Sequence, residues 1–191
     1  MRRERSGSPE EPGPGSMHDR FAFRPAHRSD LPAVLAVQRQ AHGDAFQENA
    51  EVFESRLEFA PDAAWVAERE GLVVGYLFAH PWKGRTPPAL NCVVEALPAD
   101  CDTAYLHDLA VLPGERGGGA AMGLFERFER WCRAKGLGRS MLVAVGAAGG
   151  FWSRLGFERL PDDAALAAKL SPYGAGAACM VRARLSEGAK S

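Results

Sequence analysis

The run Arg116-Gly117-Gly118-Gly119-Ala120-Ala121 holds the residues of this 191-residue chain best suited to chemistry on an anion. Glycines let backbone N–H groups approach a ligand closely, and residues at helical spacing follow, so the turn offers the positive end of a helix dipole. Arg116 adds a permanent cation whose planar donors suit phosphate oxygens. The turn is not a Walker A loop, which needs Gly-Lys-Ser/Thr. Nor is it a dinucleotide fingerprint, because the third small residue after Gly117-x-Gly119 would have to stand at Met122.

The flanking elements must hold that turn in place. Thr103 to Val111 reads as a strand that ends at Pro113-Gly114. Ala121, Leu124, Phe125, Phe128 and Cys132 then recur at helical spacing, with Gly136 as a C-terminal stop. Met141 to Val145 is short and apolar, as a buried strand would be, and Phe151 to Leu155 is a brief helix stopped by Gly156. Upstream, Phe21 to Arg24 is a strand, and Ser29-Asp30-Leu31-Pro32 carries a helix-start signature with a capping side chain. That helix continues through Arg39, and a second covers Ala50 to Phe59. Ala64–Glu68 and Leu72–Ala79, separated by Arg69-Glu70-Gly71, form a hairpin signal. The Pro-rich segment His80 to Asp102 reads either as a substrate-facing excursion or as a passive loop. Phe157–Leu160 and Cys179–Leu185 supply the last strands. Strands alternating with helices, with hairpins at both ends, predict a mixed α/β sheet.

The composition narrows the function classes. Hydrophobic residues make up 46% and charged residues 25%, and the formal net charge of −1 supplies no field for steering nucleic acid or an anionic membrane. No apolar run reaches a membrane span, and the Arg-rich N-terminus lacks a secretory h-region, so the chain reads as cytoplasmic. Cys92, Cys101, Cys132 and Cys179 lack zinc-ligand spacing and read as reduced thiols, and no metal site is expected. Met1 to Ser16, rich in Gly, Pro, Ser and charge, is expected to be a disordered leader, with Met17 a second candidate start and 17–191 one domain.

The pattern Arg116-x-x-Gly119-x-Ala121, opening an amphipathic helix, resembles the donor-binding motif of the GNAT superfamily of N-acetyltransferases, Gln/Arg-x-x-Gly-x-Gly/Ala. Leu106-His107-Asp108-Leu109-Ala110-Val111-x-Pro113 looks like the central strand of that family. Ala148-x-x-Phe151-Trp152-x-Arg154-Leu155-Gly156-Phe157 is similar to its other characteristic segment. The resemblance runs from about Phe21 to Leu185. It implies a mostly antiparallel central sheet, splayed in the middle and flanked by helices, with acetyl-CoA as co-substrate and no metal. Backbone groups of Leu109 and Val111 would pair with the pantetheine arm, with Ala110 between them in the donor site, and the Val111 N–H would polarise the thioester carbonyl. The pyrophosphate would rest on Arg116, Gly117, Gly118, Gly119, Ala120, Ala121 and Met122, with Trp152 packed beside the donor.

The implied reaction is direct attack on the thioester by a primary amine, on a small molecule or a peptide N-terminus. His107 and Asp108 are candidate bases, with Tyr105 and Glu95 behind them. Strict alternation along a strand would put His107 and Asp108 on opposite faces. Many family members place an acidic tyrosine where this chain has Trp152, and Tyr173 is the candidate replacement. Phe46, Trp82 and Arg85 are expected to read the acceptor. A non-catalytic acyl-CoA sensor and an enzyme modifying a macromolecule are the competing readings, and the resemblance is compatible with a homodimer.

Overall fold

The structure, a computed structural model, describes residues 20–43, 46–161 and 163–183. The expected leader and Met17 lie outside them. The strands are β1 (Ala22–Pro25), β2 (Ala64–Arg69), β3 (Leu72–Trp82), β4 (Thr103–Val111), β5 (Arg139–Ala144), β6 (Glu158–Arg159) and β7 (Ala178–Ala183). The helices are α1 (Leu31–His42), α2 (Ala50–Phe59), α3 (Ala120–Ala134), α4 (Gly149–Arg154) and α5 (Ala164–Leu170). One sheet orders the strands β1-β2-β3-β4-β5-β7-β6, and β4–β5 is its parallel pair.

The sheet is apolar on both faces, which explains the continuous apolar runs of β3 and β4. On one face α3 drives Leu124, Phe125 and Phe128 against Leu77, Ala79 and Leu106. On the other, α1 and α2 bring Val34, Val37 and Phe53 onto Tyr76, Phe78 and Ala110. A third cluster joins Tyr105 and Met141 to Leu166 and Leu170 of α5. Close approach of α3 to β1 uses Gly123, where a Cβ would stand 2.1 Å from the Phe23 ring.

Several boundaries differ from expectation. The β2–β3 turn is Glu70-Gly71, both at positive φ, as a two-residue hairpin connection requires. β3 continues through His80 to Trp82, because these residues pair with Tyr105 to Thr103 of β4. Asp30 does not cap α1; its carboxylate turns back to accept from the His27 N–H at 2.8 Å and from Arg24 at 2.7 and 2.8 Å. Arg24 thus outcompetes the helix N–H groups with two charge-assisted bonds. α1 runs three residues beyond Arg39 and ends on His42, before Gly43 at φ 67°.

The centre of the sheet opens. β4 pairs with β5 only from Thr103↔Arg139 to Tyr105↔Met141, whereas its pairing with β3 reaches Val111. Past Tyr105 the free edge of β4 faces a gap.

Candidate functional site

The gap is a cavity of about 810 Å³ between β4, the glycine turn, α4 and the C-terminal end of α1. Leu112 N–H bonds the Val74 carbonyl at 2.9 Å, so Leu112, Ala110 and Asp108 direct their backbone groups toward β3. Alternation then turns the N–H and C=O groups of Leu109 and Val111 into the gap. Of the eleven residues expected to hold the donor, Leu109, Ala110, Val111, Arg116, Gly117, Gly119, Ala121, Met122 and Trp152 line this cavity. Gly118 and Ala120 turn away. Gly118 lies against Phe21, where a Cβ would be 3.2 Å from the ring, and Ala120 is buried in the α3-side core.

The turn itself is held from both sides. Arg69 donates to Glu115 at 2.9 Å, fixing the 3₁₀ turn Pro113–Glu115, and Arg116 Nη2 donates to the Ala41 carbonyl at 3.0 Å. Gly117 and Gly119 sit at φ 79° and 98°, a region that side-chain-bearing residues avoid. Gly119 is the N-cap of α3 and has no side chain, so the first N–H groups of the helix are free of an intrahelical or capping partner. Trp152 is 6% exposed and packs edge-on to Phe125, Phe151 and Phe157 while closing one wall.

A smaller pocket of about 50 Å³ adjoins the cavity, sharing His42, Phe46 and Val145 with it. Its remaining walls are Glu48, Leu90, His107, Asp108, Val143 and Tyr173. His107 and Asp108 therefore share a face, contrary to simple alternation. The register explains this: Phe78 pairs with Asp108 but Ala79 pairs with Leu106, leaving His107 as an extra residue in β4. A bulge of this kind shifts the alternation by one, and both side chains point toward α1 and α2.

Asp108 accepts from Tyr76 Oη at 2.5 Å and lies 3.2 Å from His42 Nε2. Burial raises the carboxyl pKa, but the bonds from His42 and Tyr76 outweigh it and hold Asp108 below the usual range. Burial likewise works to lower the His42 pKa, yet the bond to Asp108 leaves it raised. His42 also stands at the C-terminal end of α1, where a cation is favoured. Glu48 Oε2 lies 2.7 Å from His107 Nε2, a buried ion pair. The charge of His107 overcomes burial and keeps the Glu48 carboxyl low.

Tyr173 accepts a hydrogen bond from Tyr105, and its hydroxyl is pushed up to about 12, chiefly by burial. Tyr105 is itself 1% exposed and lines neither space, while Glu95 is exposed. Of the expected acceptor readers, Phe46 lies between the two spaces, but Trp82 and Arg85 line neither. The His80–Asp102 segment does reach the site: Leu90 lines the pocket and the Asn91 N–H bonds Glu48 at 2.8 Å. Sequence reading missed His42 and Glu48. The glycine stop at Gly43 signals His42 as a helix end, but Glu48 lies between helices with no periodicity to mark it.

None of the four cysteines is in a disulfide, and among the described residues no group of three or more His, Cys, Asp or Glu is arranged to hold a metal. Among those residues no helix is long and apolar enough to cross a membrane.

Solved structures share this architecture. The loading GNATL domain of CurA from Lyngbya majuscula is 13% identical with a TM-score of 0.72, covering 85% of this chain and 97% of that domain. The ribosomal-protein-S18-alanine N-acetyltransferase of Escherichia coli is 17% identical with a TM-score of 0.63, covering 90% and 98%. Rv2747 from Mycobacterium tuberculosis, solved in complex with CoA and NLQ, is 20% identical with a TM-score of 0.63, covering 86% and 99%. No curated protein sequence matches. The family model described as Acetyltransferase (GNAT) family matches residues 31–157, more than half of the 191-residue chain. That match, on a sheet that opens beside a glycine turn, establishes that this chain belongs to the GNAT acetyltransferase family.

Proposed function

We propose that the protein is an N-acetyltransferase that moves an acetyl group from acetyl-CoA to a primary amine within a ternary complex. The observation that carries this reading is the 810 Å³ gap beside β4, which opens at the glycine turn and ends at the polar pocket. Its shape supports placing the pyrophosphate on the N–H groups of Gly117, Gly119 and the first turn of α3, the Gly118 N–H being taken by the Glu115 carbonyl at 3.3 Å. The pantetheine arm would lie along Leu109 and Val111. The thioester carbonyl would accept from the Val111 N–H; one such donor is worth about 3 kcal/mol of transition-state stabilisation in other enzymes.

The amine nitrogen attacks the thioester carbon, the C–S bond breaks, and the nitrogen proton must leave. His42 borders both spaces, so the His42–Asp108 pair is the base we favour, with Asp108 and Tyr76 orienting the imidazole; His107 is the second candidate. Tyr173 is the acid proposed to protonate the thiolate. A thiol leaves readily, with an ordinary pKa of about 8.5, so this help is modest.

Acetyl-CoA is expected to raise the melting temperature, and Gly119→Glu, which strains a φ of 98° and adds an anion, is expected to remove the shift. An unchanged midpoint at saturating acetyl-CoA would refute the donor site. Trp152, which has no acidic hydroxyl, favours a second reading in which the protein binds acyl-CoA without turnover. Donor binding with no thiol release across an amine panel selects that reading.

A further inference from the structure

We infer that Arg56 is a positioning residue for the reaction: from inside α2 it fastens the segment Leu90–Val94, and through that segment it holds Leu90 in the pocket wall and Glu48 against His107. This rests on the acetyl-transfer reading above. Arg56 is 1% exposed and lines neither space. Its Nη1 donates to the Val52 carbonyl at 3.2 Å, to Ser55 Oγ at 2.9 Å and to the Cys92 carbonyl at 2.6 Å. Its Nε and Nη2 have no hydrogen-bond partner among the described protein atoms. Burial pulls its pKa below the ordinary arginine value, and the Glu48 charge is foremost among those opposing this. A buried cation is costly unless its contacts are good. Two of the three acceptors lie in α2 itself, so Cys92 is the contact that ties α2 to another part of the chain.

The residues around that contact are pinned as well. Ser55 Oγ accepts from the Val94 N–H at 3.2 Å and donates to the Val52 carbonyl at 2.8 Å. The Asn91 N–H bonds Glu48 Oε1 at 2.8 Å, and Asn91 Oδ1 accepts from the Asn49 N–H at 3.0 Å. Asn91 stands at φ 56°, a left-handed conformation that asparagine tolerates better than most residues. Positions 91, 92 and 94 are thus gripped by Glu48, Asn49, Ser55 and Arg56, all on α2 or its approach.

This grip reaches the chemistry through Glu48, whose two oxygens face different partners. Oε1 takes the Asn91 N–H, and Oε2 pairs with His107, so the carboxylate is oriented between the segment and the base candidate. Leu90, next in the chain to Asn91, lines the small pocket. The donor cavity is lined by none of Glu48, Leu90, Asn91 and Arg56. Releasing the segment therefore disturbs the acceptor side and spares the donor side. Because the bonds of Arg56 all come from one nitrogen, a lysine ammonium with three N–H donors can stand in for it, whereas methionine keeps the apolar stem and loses every donor.

The test compares the wild type with Arg56→Met and Arg56→Lys by amide hydrogen exchange and by thiol release from acetyl-CoA. The acceptors are butylamine and the dipeptide alanyl-alanine, one small amine and one peptide N-terminus. In Arg56→Met the Asn91 and Val94 amides are expected to exchange at least roughly tenfold faster, with the β4 amides unchanged. The kcat/KM for the acceptor is expected to fall at least roughly tenfold, as misplacement of reacting groups does. The KM for acetyl-CoA and the acetyl-CoA melting shift are expected to stay as in the wild type, and Arg56→Lys to recover most of both losses. Equal exchange in the wild type and Arg56→Met overturns the inference. Faster exchange with an unchanged kcat/KM, or with an equal loss of donor binding, overturns it too. Should Arg56→Met fail to fold, Ser55→Ala and Asn91→Ala, which each remove one contact on the segment, take its place with the same expected outcomes. If neither acceptor is turned over, the exchange rates alone decide the inference, and the acetyl-transfer reading stands or falls separately on the amine panel.

Discussion

His42 and Asp108 are shifted in opposite directions by one contact, and this makes their pairing visible in pH dependence. The His42 pKa is raised above 6.5, so its contribution to stability is fully present below 6.5 and is lost as pH rises through the folded value. The Asp108 pKa is lowered below 3.8, so its contribution is present above 3.8 and is lost as pH falls through the folded value. Both are complete between those limits. Arg116 opposes the His42 charge and Glu48 supports it, which narrows but does not reverse the effect. Asp108→Asn is therefore expected to lower the melting temperature more at pH 6 than at pH 9, as thermal scans in the two buffers will show. On the proposed mechanism, kcat/KM falls on the acid side with a midpoint above 6.5, and His42→Gln removes that limb. Tyr173→Phe is expected to reduce turnover by up to roughly 10²-fold, the lower end of general acid catalysis. The acetyl-CoA melting shift should persist. Full activity in steady-state assays would reject the acid role.

At the scale of elements, the bulge in β4 and the early end of β4–β5 pairing are the two features that make a site. The bulge brings His107 and Asp108 to one face, and the divergence frees the backbone of Leu109 and Val111. Gly75 lets β3 hold β4 closely opposite Val111, beyond the end of the β4–β5 pairing. A Cβ there would meet the Ala110 oxygen and Val111 Cγ2, each at 3.0 Å. Gly75→Ala is expected to destabilise the protein by about 1–3 kcal/mol, as overpacking does, and to weaken acetyl-CoA binding by displacing Val111. Denaturant unfolding and donor titration measure the two effects separately. The glycine turn and α3 were legible from local signals alone, because turn chemistry and a 3.6-residue period act within a few residues. The bulge was not, because the extra residue is defined only against its partner on β3.

For the whole molecule, two apolar layers cover a single sheet on either side of the opening. Phe128, fully buried against Phe125 and Trp131, spans the α3-side layer. Phe128→Ala is expected to lose about 3–5 kcal/mol, a large share of the 5–15 kcal/mol typical of native proteins. A fall of roughly 10 °C in the melting temperature is expected for a chain of this size, and calorimetry will measure it. By itself the sequence determined the mixed α/β class, the order of its helices and strands apart from α5, which it left unmarked, and the anion-ready turn with its family resemblance. These follow from periodicity, glycine placement and short motifs. Only the tertiary structure decided which polar groups meet. His42 ends α1, Glu48 lies between helices, Asp108 follows a bulge and Tyr173 closes a turn after α5. Their convergence depends on how four separate segments pack around an opening in the sheet, and no local rule of spacing encodes that distance.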